Sequence, residues 1–339
     1  MAQAQRYDFE DQFRLTPLKD NPDVFTNTYP LWSWPNLTRV AGSITLVQAA
    51  RAGYCTVPDD YAMHGLQAHF LKPGLLETPM QYEVERIMTS QKFACRTVRV
   101  RQEGVIRAYL VLNFQNKAID EKRPAPFDYM PSVDKETLRD VAKPIDPRLE
   151  DFNHSSSAAG PRMPPDWPSA PRGAQYPAIR TQRLSVSDEA EISERIYRCK
   201  LGIASPLSGP MAQILAIVFL SDLYTGDGPL TIQHFDFGAF SIGDLTKTPT
   251  KPCTTQWATL NHSLHFRKLD GWDACEDVLF EVKLRWAKGR RAVTQLTIRD
   301  KKGEVIATAE QEASLPSRRP NDATVLTSFA GLLCLHAGR

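Results

Sequence analysis

The chain has 339 residues, enough for two ordinary domains or one large one. Hydrophobic residues make up 42% and charged residues 24%, which fits a globular protein and excludes a disordered one. With 41 basic against 39 acidic residues the net charge is +2, and nothing in that balance calls for nucleic acid or an anionic membrane.

Charges interrupt the first fifteen residues before an apolar run can form, so no secretory signal is expected. The longest apolar stretch, 211–220, is broken by Gln213 and is about half the length a bilayer requires. Cys55, Cys95, Cys199, Cys253, Cys275 and Cys334 lie far apart and show no zinc-type spacing. Scattered thiols without a signal peptide point to the cytoplasm, and no metal or cofactor is expected. The final residues, 336–339, are not a peroxisomal address.

Residues 1–116 form the first zone. Loops rich in aromatic residues (Phe25, Tyr29, Trp32, Trp34) come first, and a helix is predicted over 41–55, with Ile44, Val47 and Ala50 on one face. Alternating segments at 81–85 and 94–101, a turn at Gln102-Glu103-Gly104 and an apolar strand over 105–114 then read as antiparallel sheet. Residues 117–186 are crowded with proline and read as a linker, with a short helix over 135–141. Residues 187–315 repeat the first order: a strand at 191–200, an apolar helix at 206–223, then strands at 260–266, 278–286, 292–299 and 304–313. Residues 316–339 are a tail with apolar groups at 324–326 and 332–335 that would cover a pocket or form an oligomer contact.

The repeat is visible in letters. His64-Gly65-Leu66 recurs as His262-Ser263-Leu264, and Gly104-Val105-Ile106 is echoed by Gly303-Glu304-Val305-Ile306. A helix this apolar must be buried on all sides. An antiparallel sheet curved around each helix, with two halves paired edge to edge, meets that need and hides strand edges. The predicted class is α+β.

Signatures of several hydrolases and nucleotide-binding proteins are missing: GxSxG, GxGxxG, GxxxxGK[ST] and HExxH. Attention therefore falls on irregularities inside the repeat. Asp222 sits near the C-terminal end of the most apolar helix, where negative charge is disfavoured. It is either an exposed acid or cap for the following turn at 224–228, or a partly buried carboxylate kept as a general base. Thr259, taken alone, is an ordinary β-branched residue at a strand start, and Gln311 a solvent-facing residue of a polar strand end. His64, His69, His262 and His265 sit on strands and read as structural, with His262 the candidate for lining a site.

Four strings resemble those of the acyl-CoA thioesterase II family, the TesB-like double hot-dog proteins. His64-Gly65-Leu66-Gln67-Ala68-His69-Phe70-Leu71-Lys72-Pro73-Gly74 resembles that family's HSxxxxFLxPG segment. Ser221-Asp222-Leu223 and Ala258-Thr259-Leu260-Asn261-His262-Ser263-Leu264 resemble its SDL and ATxDHSxxF strings, and Gln311-Glu312 its terminal VQEG. The resemblance implies a tandem hot-dog fold and a catalytic trio of Asp222, Thr259 and Gln311 around one water. It also implies substrate binding at Gly42 and Ser43, whose helix start would stabilise an oxyanion; His262, from its place on the strand, is the further candidate for substrate binding. Asn261 stands where the family commonly has Asp, and Ala41-Gly42-Ser43 replaces a Gly-Gly-Gln segment.

The expected activity is hydrolysis of an acyl-CoA or carrier-bound acyl thioester, with a homo-oligomer possible and neither nucleic acid nor membrane as partner. A hot-dog enzyme performing dehydration, cyclisation or a retro-aldol step on a polyketide-like intermediate is the alternative. A non-catalytic acyl-CoA-binding protein is a third reading.

Overall fold

The computed structural model describes residues 8–31, 39–120, 133–143, 179–187, 189, 191–223, 258–276 and 278–314. Trp32, Trp34, the turn at 224–228 and the tail at 316–339 lie outside them, as do 121–132 and 144–178 of the range read as linker.

The first half opens with the short helix α1 (Phe9–Gln12) and continues through β1 (Leu15–Leu18) and β2 (Asn21–Asn27). The helix α2 (Gly42–Tyr54) follows, then β3 (Tyr61–Phe70), β4 (Gln81–Thr89), β5 (Phe93–Gln102) and β6 (Val105–Asn116). Two short helices, α3 (Lys117–Asp120) and α4 (Lys135–Ala142), precede β7 (Ile179–Val186) and β8 (Ile196–Ile203). The long helix α5 (Pro210–Leu223) comes next, before β9 (Ala258–Phe266), β10 (Val278–Lys288), β11 (Arg291–Arg299) and β12 (Val305–Ser314).

Phe25, read as part of a loop, lies in β2, and β7 falls within the range read as linker. Both segments are at or next to the outer edges of the sheet, where Pro17 and Pro22 are tolerated because few ladder bonds are asked of them. The second helix begins at Pro210 rather than at 206, with proline in the first helical position.

All twelve strands form one antiparallel sheet in the order β1-β2-β4-β5-β6-β3-β9-β12-β11-β10-β8-β7. The two halves meet where β3 pairs with β9. Phe70 opposite Ala108 corresponds to Phe266 opposite Ala307, so a local twofold axis passes between the two central strands. The irregularities obey it: a bulge lies between Arg86 and Met88 in β4 and between Leu284 and Trp286 in β10. The loops at equivalent places differ in length: Glu103 (φ 51°) and Gly104 (φ 75°) form the two-residue loop between β5 and β6, whereas residues 300–304, with Gly303 at φ 82°, join β11 to β12. This is a tandem hot-dog, α+β, with each helix enclosed by its half of the sheet.

α5 is buried on nearly every side, from Ile214 through Ser221, and packs along α2. The two helices end differently. At the end of α2, Arg96 is 1% exposed and donates to Thr56 Oγ1 and O, to Thr89 Oγ1 and to the carbonyls of Met88 and Cys95. A cation there complements the negative end of the helix dipole. Tyr54, in the last turn, accepts from the Met63 N–H at 2.8 Å and meets the Phe114 ring edge-on. α1 wedges between this end and the start of α5: Phe9 and Phe13 pack on Phe219, and Glu10 accepts from Ser208 and, through its carbonyl, from Arg51.

Candidate active site

α5 carries a carboxylate in its last turn. Asp222 is carried one position short of the helix end, and its side chain leaves the apolar column toward β9 and β12. Thr259 donates from Oγ1 to Asp222 Oδ1 at 2.9 Å. Gln311 donates from Nε2 to the same oxygen at 2.5 Å and to Thr259 Oγ1 at 2.7 Å. The structure thus brings the three residues into one closed triangle of hydrogen bonds.

A strand irregularity makes this possible. Gln311 lies opposite His262 in the β9–β12 ladder, so their side chains share the inner face. Thr259 is three residues before His262, and in an unbroken strand it would face the other way. The register shifts here: Asn261 pairs with Glu312 and Thr259 with Ala313, leaving Leu260 as the extra residue. That bulge turns Thr259 inward, beside Gln311.

The opposite wall comes from the first half. Ala41 caps α2 without a side-chain hydrogen bond, so the first N–H groups of the helix need other partners. The Ser43 N–H donates to the Asp222 carboxylate, at the positive end of the helix dipole. Gly42 is in closest approach: a Cβ built on it would lie 2.6 Å from Asp222 Oδ2 and 3.4 Å from the Phe70 ring. Only glycine fits there without displacing the carboxylate.

Burial pushes the Asp222 carboxyl up to about 7, against the pull of the bonds from Thr259, Gln311 and the Ser43 N–H, which favour the anion. A carboxylate poised near neutrality, next to two fixed polar side chains and a helix N-terminus, can accept a proton from a bound water.

His262 is 1% exposed and lies behind the trio. Its Nε2 is 2.9 Å from Ser221 Oγ, which also bonds the Val218 carbonyl at 2.9 Å. Burial holds the ring down to about 4, so it is neutral at pH 7. Ser221 and Phe70 had no role in the sequence reading, although both stand inside the strings quoted there. The other histidines lie elsewhere. His69 Nδ1 is 2.7 Å from Asn261 Oδ1 on the outer face, where Asn261 also donates to Glu312 and Glu312 accepts from Arg291. The Asn261 departure therefore falls on the face away from Asp222.

The chain's relatives share this arrangement of halves. Residues 31–115 match the family model of the acyl-CoA thioesterase N-terminal domain, and residues 155–315 that of the acyl-CoA thioesterase C-terminal domain. The chain belongs to the acyl-CoA thioesterase family, as a divergent TesB-like member. This thioesterase is 25% identical to human acyl-coenzyme A thioesterase 8 over 314 residues, 88% of this chain and 85% of that protein. It is 24% identical to acyl-CoA thioesterase 2 of Haemophilus influenzae over 287 residues, 81% of this chain and 86% of that one. Its fold is similar to that of an acyl-CoA thioesterase II from Mycobacterium marinum, with a TM-score of 0.62 and 20% identity over 92% of this chain and 97% of the other. Among the described residues of the thioesterase no helix is long and apolar enough to cross a membrane.

Proposed function

We propose that this thioester hydrolase acts on an acyl-CoA by water activation at Asp222, with Thr259 and Gln311 orienting the carboxylate and the water. The observation that carries the reading is the closed triangle of hydrogen bonds on a carboxylate lifted to about 7. Asp222 takes a proton from water as the water oxygen attacks the thioester carbonyl carbon. The carbonyl oxygen becomes an oxyanion at the start of α2, where the Gly42 N–H and the helix dipole favour negative charge while the Ser43 N–H stays on Asp222. Collapse breaks the carbon–sulfur bond, the acid departs, and the thiolate receives the proton held by Asp222. A thiolate is a good leaving group, so no side-chain nucleophile is needed.

Family membership favours hydrolysis over dehydration, cyclisation, a retro-aldol step or passive acyl binding. A cytoplasmic setting suits the free thiols of Cys55, Cys95 and Cys275. Self-association would use the outer strands β1 and β7, each paired on one side only among the described residues. Light scattering on the purified chain reads that directly. The activity itself is tested by thiol release from a panel of acyl-CoAs. Turnover that Asp222→Asn abolishes supports the mechanism, and a fully active Asp222→Asn enzyme overturns it.

A further inference from the structure

Two buried acceptors in this site have no hydrogen-bond partner among the described residues: His262 Nδ1 and Gln311 Oε1. They belong to residues directly opposite each other in the β9–β12 ladder, both 1% exposed and both on the inner face. Their protonation pattern follows from their other bonds. The Val218 carbonyl can only accept, so it takes the Ser221 hydroxyl proton, and the bond between Ser221 Oγ and His262 must be donated by Nε2–H. Nδ1 is then a bare lone pair. Gln311 is fixed in the same way: its Nε2 serves Asp222 and Thr259, which leaves Oε1 pointing elsewhere as an acceptor.

Two lone pairs on side chains that are direct neighbours on the inner face have one common solution, a molecule with two donor hydrogens. An orphaned buried acceptor is costly, and one internal water would satisfy both. We propose that His262 is a positioning residue of the hydrolytic site: it anchors Ser221 through Nε2–H and, through a water shared between Nδ1 and Gln311 Oε1, fixes which way the Gln311 amide points. The inference rests on the assignment of Asp222, Thr259 and Gln311. Its physical content is that a Gln311 amide turned by half a rotation would aim an oxygen at the Asp222 carboxylate, and repulsion would open the triangle. His262 prevents this without touching substrate.

The test compares His262→Leu with His262→Gln in the full chain. The leucine removes both polar atoms at similar volume, and the glutamine keeps a donor near the Nε2 position. The expected result for His262→Leu is a 10- to 100-fold lower kcat with KM within about twofold, on the scale of an interaction made only in the transition state. The inflection of its pH–rate profile should also move upward, because Asp222 has lost a donor. His262→Gln should recover part of both. An unchanged kcat in His262→Leu overturns the proposal. So does a loss of kcat with the inflection unmoved and no recovery in His262→Gln, since a packing role alone would do that. Nitrogen-15 spectra of the labelled wild-type protein decide the point even if the leucine variant fails to fold: protonated Nε2 with bare Nδ1 supports the proposal, and the reverse tautomer overturns it. Asp222→Asn is run alongside. If it keeps activity, the trio is wrong; if it is inactive while His262→Leu is normal, only the role of His262 fails.

Discussion

The C-terminal ends of α2 and α5 occupy equivalent places in the two halves, yet only one surrounds a carboxylate with polar side chains. Matching the helices from their first residues, Gly42 with Pro210, sets Tyr54 against Asp222 and Gly53 against Ser221. In the ladder with the middle strand, Arg96 opposite Leu112 corresponds to Thr294 opposite Gln311. So the first end has a tyrosine, a leucine and a buried arginine where the second has an aspartate, a glutamine and a threonine. The first end follows the rule for stability, with a cation and apolar packing at the negative end of a helix. The second end breaks it, and the cost is offset by donors from Thr259, Gln311 and Ser43. A local rule violated at one of two otherwise matched positions is a direct pointer to function.

The comparison can be broken most severely at Asp222. Asp222→Asn should lower kcat/KM by about 10²- to 10⁴-fold, the range of general-base assistance, measured by thiol release at pH 8. The same substitution should help stability as pH rises. The carboxyl titrates at 3.8 when unperturbed and about 7 when folded, so between those values the folded state holds a proton that the unfolded state lacks. The group's contribution is complete below pH 3.8 and is lost as pH rises through 7. Thermal melts of Asp222→Asn against wild type should therefore favour the variant more at pH 8 than at pH 4. In the wild-type enzyme, kcat/KM should climb with pH and level off above an inflection near 7. A flat profile from 5 to 9 would contradict a base of this kind.

Glycines at the two ends sharpen the contrast. Gly42→Ala would press a methyl group to 2.6 Å from Asp222 Oδ2 and should cost about 10- to 100-fold in kcat, as misplacement of a catalytic group does. Gly53→Ala is as crowded on paper, with its Cβ 2.4 Å from Leu112 Cδ1. That neighbour is the tip of an apolar side chain, so the expected cost is stability, about 1–3 kcal/mol by urea denaturation, with kcat per folded molecule unchanged. At the quiet end, Arg96→Met removes five hydrogen bonds, the two to Thr56 fully buried, and should lower stability by about 2–4 kcal/mol without altering the pH inflection.

Much of the fold was readable in the chain. The alternation at 94–101 and 292–299, the glycine turns and the repeated strings are local signals, and the strands fall where they predict. The outer strands were not readable. Leu15–Leu18 and Asn21–Asn27 contain prolines and turn-forming residues, and Ile179–Val186 follows a proline-rich stretch, so composition argued against strands that only a sheet edge would accept. Within the site, Asp222 announced itself because an acid near the end of so apolar a helix demands partners. Thr259 and Gln311 carried no such signal and entered through resemblance. Their meeting depends on a bulge at Leu260, which periodicity cannot show, and the Ser221–His262 contact depends on two elements far apart in sequence.

The first half has a bulge at the matching place: His64 falls at the Asn113–Phe114 step of β6 as Leu260 falls at the Glu312–Ala313 step of β12. An extra residue in a strand works like a frameshift: everything before it exchanges inner for outer face. Two tandem copies of one plan can therefore hold different side chains in the same frame, buried Met63 in one half and Thr259 in the other, with no new element and no change in the order of the sheet. A deletion of Leu260 would put Thr259 back in the other frame and away from Gln311.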